Sequence, residues 1–176
     1  AFMKFQVSSL LFLFVLLGAT QSAYSQGFPY HLYAPRTMAE LDKWSSANGE
    51  TQKIGQTSIG ISADPFYSAV RLEYAGEVRD LSERKMGFYK LWAATLNVAS
   101  TNTDASVLDI LQKEFLFKEC DKEYWITVST PAANDFPENM KKGDRLTLYL
   151  MMAGGLSYDK EAWSGMFLAN SFKIYE

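Results

Sequence analysis

His31 and Cys120 are the only histidine and the only cysteine of the chain, and they bound the chemistry it can carry. A serine or cysteine nucleophile needs a base held within hydrogen-bond reach. Here His31 would have to serve, and it sits between Pro29 and Pro35 in a segment that reads as an extended arm. Cys120 is flanked by Lys118 and Lys122, cations that would stabilise a thiolate. At hairpin spacing the same lysines point to water. A transition-metal site takes several His or Cys ligands, and one of each does not supply them. No acidic run has the spacing of a calcium loop. Gly55 and Gly60 lack the lysine and the following helix of a phosphate loop. Glu73 with Glu77, and Asp121 with Glu123, are the pairs that would suit a glycosidase acid and base. On strand edges and turns such acids are ordinarily solvated. The sequence therefore assigns no catalytic residue, no metal and no cofactor.

The aromatic residues are the better candidates for binding. Tyr124 and Trp125 are neighbours on an expected strand, so they point to opposite faces. Tyr149 alternates with Leu148 and Leu150 and should face away from the core. Trp163 opens a strand after a polar loop. Exposed together on a small barrel, Tyr124, Trp125, Tyr149 and Trp163 would suit a sugar ring or the apolar groups of a partner. The alternative is that they pack beneath helices, which must cover some sheet face.

Those side chains have to be positioned by elements readable from pattern. Thr37 and Glu40 form a capping box for a helix over 37–47 with Met38, Leu41 and Trp44 on one face. Asn48-Gly49 should end it. Ile54, Ile59 and Ile61 suggest a strand that Asp64-Pro65 breaks. Val70, Leu72 and Tyr74 alternate with Arg71 and Glu73 as in a half-buried strand, with a turn expected at Ala75-Gly76-Glu77. A second helix is predicted over 82–98, capped by Ser82, with Met86, Tyr89, Trp92, Ala93 and Leu96 as its apolar stripe. Residues 99–105 read as a polar loop.

Sheet dominates from Val107 onward. Residues 114–119 and 123–129 flank Cys120-Asp121-Lys122 as a hairpin would. One helical turn is expected at 138–142. A strand follows over 145–152 with Leu146, Leu148 and Leu150 inward, ended by Gly154-Gly155. Two further strands are expected at 163–169 and 172–175.

Composition restricts the partners. The formal net charge is −3, and an acidic domain is poorly suited to phosphate backbones, so nucleic acid is not an expected ligand. Lys4 is followed by the apolar run 10–17 (LLFLFVLL) and then by small and polar residues through Ser25. This is the order of a secretory signal, with Ala23 and Ser25 placed for cleavage before Gln26. The run is too short for a membrane span. The expected organisation is a cleaved signal over 1–25 and a single globular domain over 26–176, periplasmic or extracellular and without a stable membrane span. One cysteine excludes an internal disulfide, and burial as a small hydrophobe is the expectation for Cys120. No Asn-x-Ser/Thr sequon occurs, which leans toward bacterial export.

The passages KKGDRLTLYLMMAGG and WSGMFLANSFKIY, with FLFKECDKEYWITVSTP before them, resemble small exported bacterial domains of the OB-fold type. The resemblance covers residues 107–176, and its motifs are turn and core residues. It implies an architecture and carries no site residue; the N-terminal half has no such likeness. The expected fold is α+β or mainly β: an antiparallel OB-like barrel of five or six strands with two helices from the N-terminal half. The expected function is a non-enzymatic exported domain that binds a protein or envelope partner. A saccharide or small-ligand binder is the alternative, and a hydrolase using a carboxylate pair or Cys120 with His31 comes third.

Overall fold

The structure, a computed structural model, describes residues 28–47, 51–97, 109–136, 140–158 and 162–175. The expected export segment, Asn48-Gly49 and the polar loop 99–105 lie outside the described residues. The chain divides into two compact units, Ala1–Tyr30 and His31–Glu176. Of the first, Phe28, Pro29 and Tyr30 are described, with the Phe28 and Tyr30 rings 4.7 Å apart and tilted. The sheet and the α-helices of the described residues belong to the second.

Among the described residues the second unit is mainly β, with seven strands in one mixed sheet. After the two-residue strand β1 (Ala34–Pro35) comes helix α1 (Met38–Ala47). The capping box forms as its residue types predict: the Thr37 N–H donates to Glu40 Oε2 at 2.8 Å, and the Glu40 N–H donates to Thr37 Oγ1 at 3.1 Å. Strand β2 (Thr51–Ile54) turns through Gly55, at φ +61°, into β3 (Thr57–Asp80). Helix α2 (Glu83–Asn97) follows, then the hairpin β4 (Lys113–Glu119) and β5 (Lys122–Val128). The short helix α3 (Thr130–Asn134) precedes β6 (Arg145–Tyr158) and β7 (Ser164–Ile174).

The hydrogen-bonded order is β1-β3-β4-β5-β7-β6, β2 also pairs with β3, and β6 pairs back onto β3. Two of these pairings are parallel, β1 with β3 and β5 with β7. The expectation of a purely antiparallel sheet is corrected accordingly. A parallel pair needs a long crossover, and the chain supplies one between β5 and β7 through α3 and β6.

Several expected breaks are absorbed instead of ending strands. β3 runs on through Asp64-Pro65, because its ladder with β6 shifts register between Ile61 and Phe66 and leaves the proline no bond to donate. It also continues past Ala75-Gly76-Glu77, where its ladder with β4 shifts between Tyr74 and Val78 and Gly76 takes φ +88°. β6 passes through Gly154-Gly155, which lie against Gly60 and Ile61 of β3. The two last expected strands are one, β7, whose ladder with β6 carries shifts. Of the helical turn expected at 138–142, residues 138 and 139 are not described, 140 and 141 are not helical, and 142 lies in a turn with Gly143.

Alternation places the cores. Val70, Leu72, Tyr74, Leu146, Leu148 and Leu150 are buried on the inner face with Phe117, Ile126 and Val128, and α1 adds Met38 and Leu41. A second cluster forms where α2 lies on the outer face: Phe88, Tyr89 and Trp92 pack with Leu111, Leu156, Met166 and Leu168. The α2 stripe is thus rotated toward Phe88; Met86 is half-buried.

Candidate functional site

The four candidate aromatics do not form one face. Trp125 is half-buried with the Arg79 guanidinium 3.8 Å above its ring. Tyr124 packs against the main core, and its buried hydroxyl has no hydrogen-bond partner among the described residues. Burial, and then the negative charge of Asp42, Glu119 and Cys120, push its phenol up. Trp163 lies over Gly155 beside a chamber of about 30 Å³ also lined by Trp44, Ser45 and Gly60. That space suits about one water molecule, not a ligand. Tyr149 is half-buried, edge-on to Tyr33 at 5.4 Å, and it alone of the four lines a large cleft.

The residues with nucleophilic or acid–base potential are dispersed. His31 is exposed in a single 3-10 turn (Tyr30–Leu32). Cys120 is exposed, correcting the expectation of burial: it sits at φ +54° in the tight turn between β4 and β5, beyond the strands that face the core. Glu123 pairs with Lys118 at 2.9 Å, leaving Asp121 exposed at the tip. Glu73 faces a cleft, and Glu77 lies within the register shift between Tyr74 and Val78. Among the described residues no group of three or more His, Cys, Asp and Glu could hold a metal ion.

The cleft is built from the outer faces of β3 and β6. Cross-strand register sets Glu73 against Arg145, Arg71 against Thr147 and Ala69 against Tyr149. On the far side β7 sets Lys173 against Thr147 and Ser171 against Tyr149. One half has a volume of about 800 Å³ and runs from Cys120 to the Gly143-Asp144 turn. The other half, about 590 Å³, runs toward Pro35, Thr37 and Glu40. Arg71, Glu119 and Tyr175 line both. The Arg71 guanidinium lies 5.2 Å from the Tyr175 ring centre, and the Tyr175 and Thr147 hydroxyls are hydrogen-bonded to each other.

The acids that line this trough, Glu40, Glu73, Glu119 and Asp144, equal its cations, Arg36, Arg71, Lys118 and Arg145, in number. Glu119 accepts from the Met38 N–H at 2.9 Å and the Ala39 N–H at 3.2 Å. Asp144 accepts from the Lys141 N–H at 2.7 Å. Among the described residues no carboxylate forms an ion pair with Arg71 or Arg145. Both guanidiniums are exposed on the sheet surface.

Sequence reasoning missed a second polar cluster. Glu114, on the outer face of β4, has no solvent exposure. It accepts from Arg79 Nε at 2.9 Å and is ion-paired with Lys85 of α2. Lys85 also reaches the Trp125 carbonyl at 3.4 Å. The buried Tyr89 hydroxyl donates to the Phe167 carbonyl at 3.1 Å. The available signal was the two-residue spacing of Glu114 and Leu116, which puts the acid on a face with a buried leucine. Compared with family models, curated proteins and solved structures, the chain matches none of them.

Proposed function

We propose that the chain is an exported, non-enzymatic binding domain whose OB-like barrel engages a protein or envelope partner through the outer β3–β6 face. The barrel reading is supported by the pairing cycle β3-β4-β5-β7-β6 and back to β3, with α3 between β5 and β6 in the chain. OB-folds ordinarily bind along their second and third strands, here β4 and β5. In this chain the insertion that carries α2 lays Lys85 and Tyr89 over that face, so Glu114 lies beneath it. The face that stays open is the one across β3 and β6. Export is supported by the residue pattern of 1–25 alone.

The observation that carries the reading is the open trough across β3 and β6, in which Arg71 and Arg145 are exposed. Its volume and openness suit an extended partner better than an enclosed substrate. A saccharide is the second reading, favoured by Tyr149 and Tyr175 lining the same trough. The test is site-specific photocrosslinking in the native envelope from position 149 and, as control, from exposed Leu91 on α2. Discrete adducts from position 149 and none from 91 support the reading. Equal or absent adducts at 149, or turnover of a glycoside or ester panel by the purified protein, defeat it.

A further inference from the structure

We infer that the chamber beside Trp163 is a site for one ordered water molecule, which accepts from the Trp163 indole N–H and donates to Ser45 Oγ. The bridge joins the last turn of α1 to the β6–β7 ladder. The site is separate from the β3–β6 trough and does not depend on what binds there.

The first ground is how the space arises. Gly155 of β6 and Gly165 of β7 are cross-strand partners, so they share a face, and neither has a side chain to fill it. A Cβ on Gly155 would stand 2.4 Å from Trp163 Nε1. One on Gly165 would stand 2.5 Å from the Phe167 ring and 3.3 Å from Ser45 Oγ. Two large rings therefore use the room that the glycines leave. They do not use all of it: about 30 Å³ remains, walled by Trp163, Met152 and the α1 residues Trp44 and Ser45. A single water needs about 10–15 Å³, so the chamber admits water and excludes any larger ligand.

The second ground is the balance of donors and acceptors. Trp163 Nε1 is buried and has no hydrogen-bond partner among the described residues. An indole nitrogen can only donate, and a buried donor left unmatched carries its full desolvation penalty. Ser45 is also buried and lines the same chamber. Its hydroxyl donates to the Asp42 carbonyl at 2.9 Å, so the remaining lone pairs of its oxygen can only accept. A donor without an acceptor and an oxygen with accepting capacity thus border a space of water size. Water answers both, because it accepts and donates at once. Gly60 and Ser62 line the chamber too and offer further polar contacts, within the two to four that a buried water takes. The bridge gives the last turn of α1 a polar tie to the sheet, as Glu119 gives one to its first turn.

The test is a crystal structure of the protein at a resolution that shows ordered water, joined to indole proton exchange measured by NMR in solution. The expected result is one water within hydrogen-bond distance of both Trp163 Nε1 and Ser45 Oγ. An empty chamber, a water bonded to only one of the two, or an indole N–H that donates directly to a protein acceptor overturns the inference. In solution the Trp163 indole signal is identified by its loss in Trp163→Phe. Ser45→Ala should speed exchange of that proton about tenfold, the scale of one hydrogen bond. The chain has four tryptophans, and the other indoles report general loosening. Acceleration confined to Trp163 supports the bridge; an unchanged rate, or equal acceleration of every indole, overturns it. The crystal requires no variant, so it decides even where Ser45→Ala fails to fold.

Discussion

Glu119 at the end of β4 caps the first turn of α1 from 81 positions away, its two carboxylate oxygens accepting from the Met38 and Ala39 N–H groups. The helix has a local cap as well, from Thr37 and Glu40. The first turn is thus tied both to its own sequence and to the hairpin that carries Cys120. A carboxylate there satisfies orphan N–H groups and meets the positive end of the helix dipole.

Glu119→Ala should destabilise the fold by about 1 kcal/mol, the typical worth of an N-terminal cap. Glu119→Gln keeps an acceptor and loses the charge, so its cost should be smaller. Urea unfolding of the three proteins measures both. Equal stability of wild type and Glu119→Ala would show that the local capping box suffices.

Glu114→Ala should cost far more, about 3 kcal/mol or above, because removing one partner of a buried pair leaves the other charge uncompensated. The Lys85 side chain is only 17% exposed beside it. Lys85→Met in the Glu114→Ala background should restore part of the loss, since no buried charge then remains. Additive losses in that double-mutant cycle would mean that the two groups are not coupled.

Alkaline pH should unfold the protein through its tyrosines. Burial is the first cause that raises the phenols of Tyr33, Tyr74, Tyr89 and Tyr124. A raised folded value means that their contribution is fully present below the unfolded phenol value, about 10. It is then lost as pH rises through the folded values. Ultraviolet titration should show part of the phenol signal appearing late and together with loss of the folded spectrum. Tyr89 is wholly buried, so Tyr89→Phe should shrink that late fraction. Smooth titration of every tyrosine before unfolding would contradict this.

How much of this was legible in the sequence depends on the range of the interaction. The Thr37–Glu40 box, the Val70-Leu72-Tyr74 alternation and the Leu146-Leu148-Leu150 alternation are local, and each forms as its residue types dictate. What failed were inferences about where strands stop. Asp64-Pro65, Gly76 and Gly154-Gly155 are breakers by propensity, yet ladder partners far along the chain carry the strands past them by shifting register. The trough was invisible for the same reason: Arg71 and Arg145 lie far apart in sequence, and only the β3–β6 register makes them neighbours. Tyr149 was the one candidate aromatic that register brought to it. Glu114 was missed because nothing local tells that α2 folds over it.

Two glycines separate close approach from mere permissiveness. Gly154 takes φ +144°, and a Cβ there would stand 2.0 Å from the Gly60 carbonyl oxygen and 3.0 Å from the Phe88 ring. The obstacle at Gly60 is backbone, so β3 and β6 would have to part where the α2 cluster rests on them. Gly154→Ala should therefore cost several kcal/mol, in the range of severe backbone and packing defects. Gly87 sits within α2 with nothing within 4 Å of a built Cβ. Gly87→Ala removes only the entropic penalty of a helical glycine, so it should stabilise by up to about 1 kcal/mol. Paired urea curves decide the matter: opposite shifts of the two midpoints are expected. A tolerated Gly154→Ala would mean that the β3–β6 ladder can part at Gly60 without cost. A destabilising Gly87→Ala would mean that α2 needs its glycine for something other than chain flexibility.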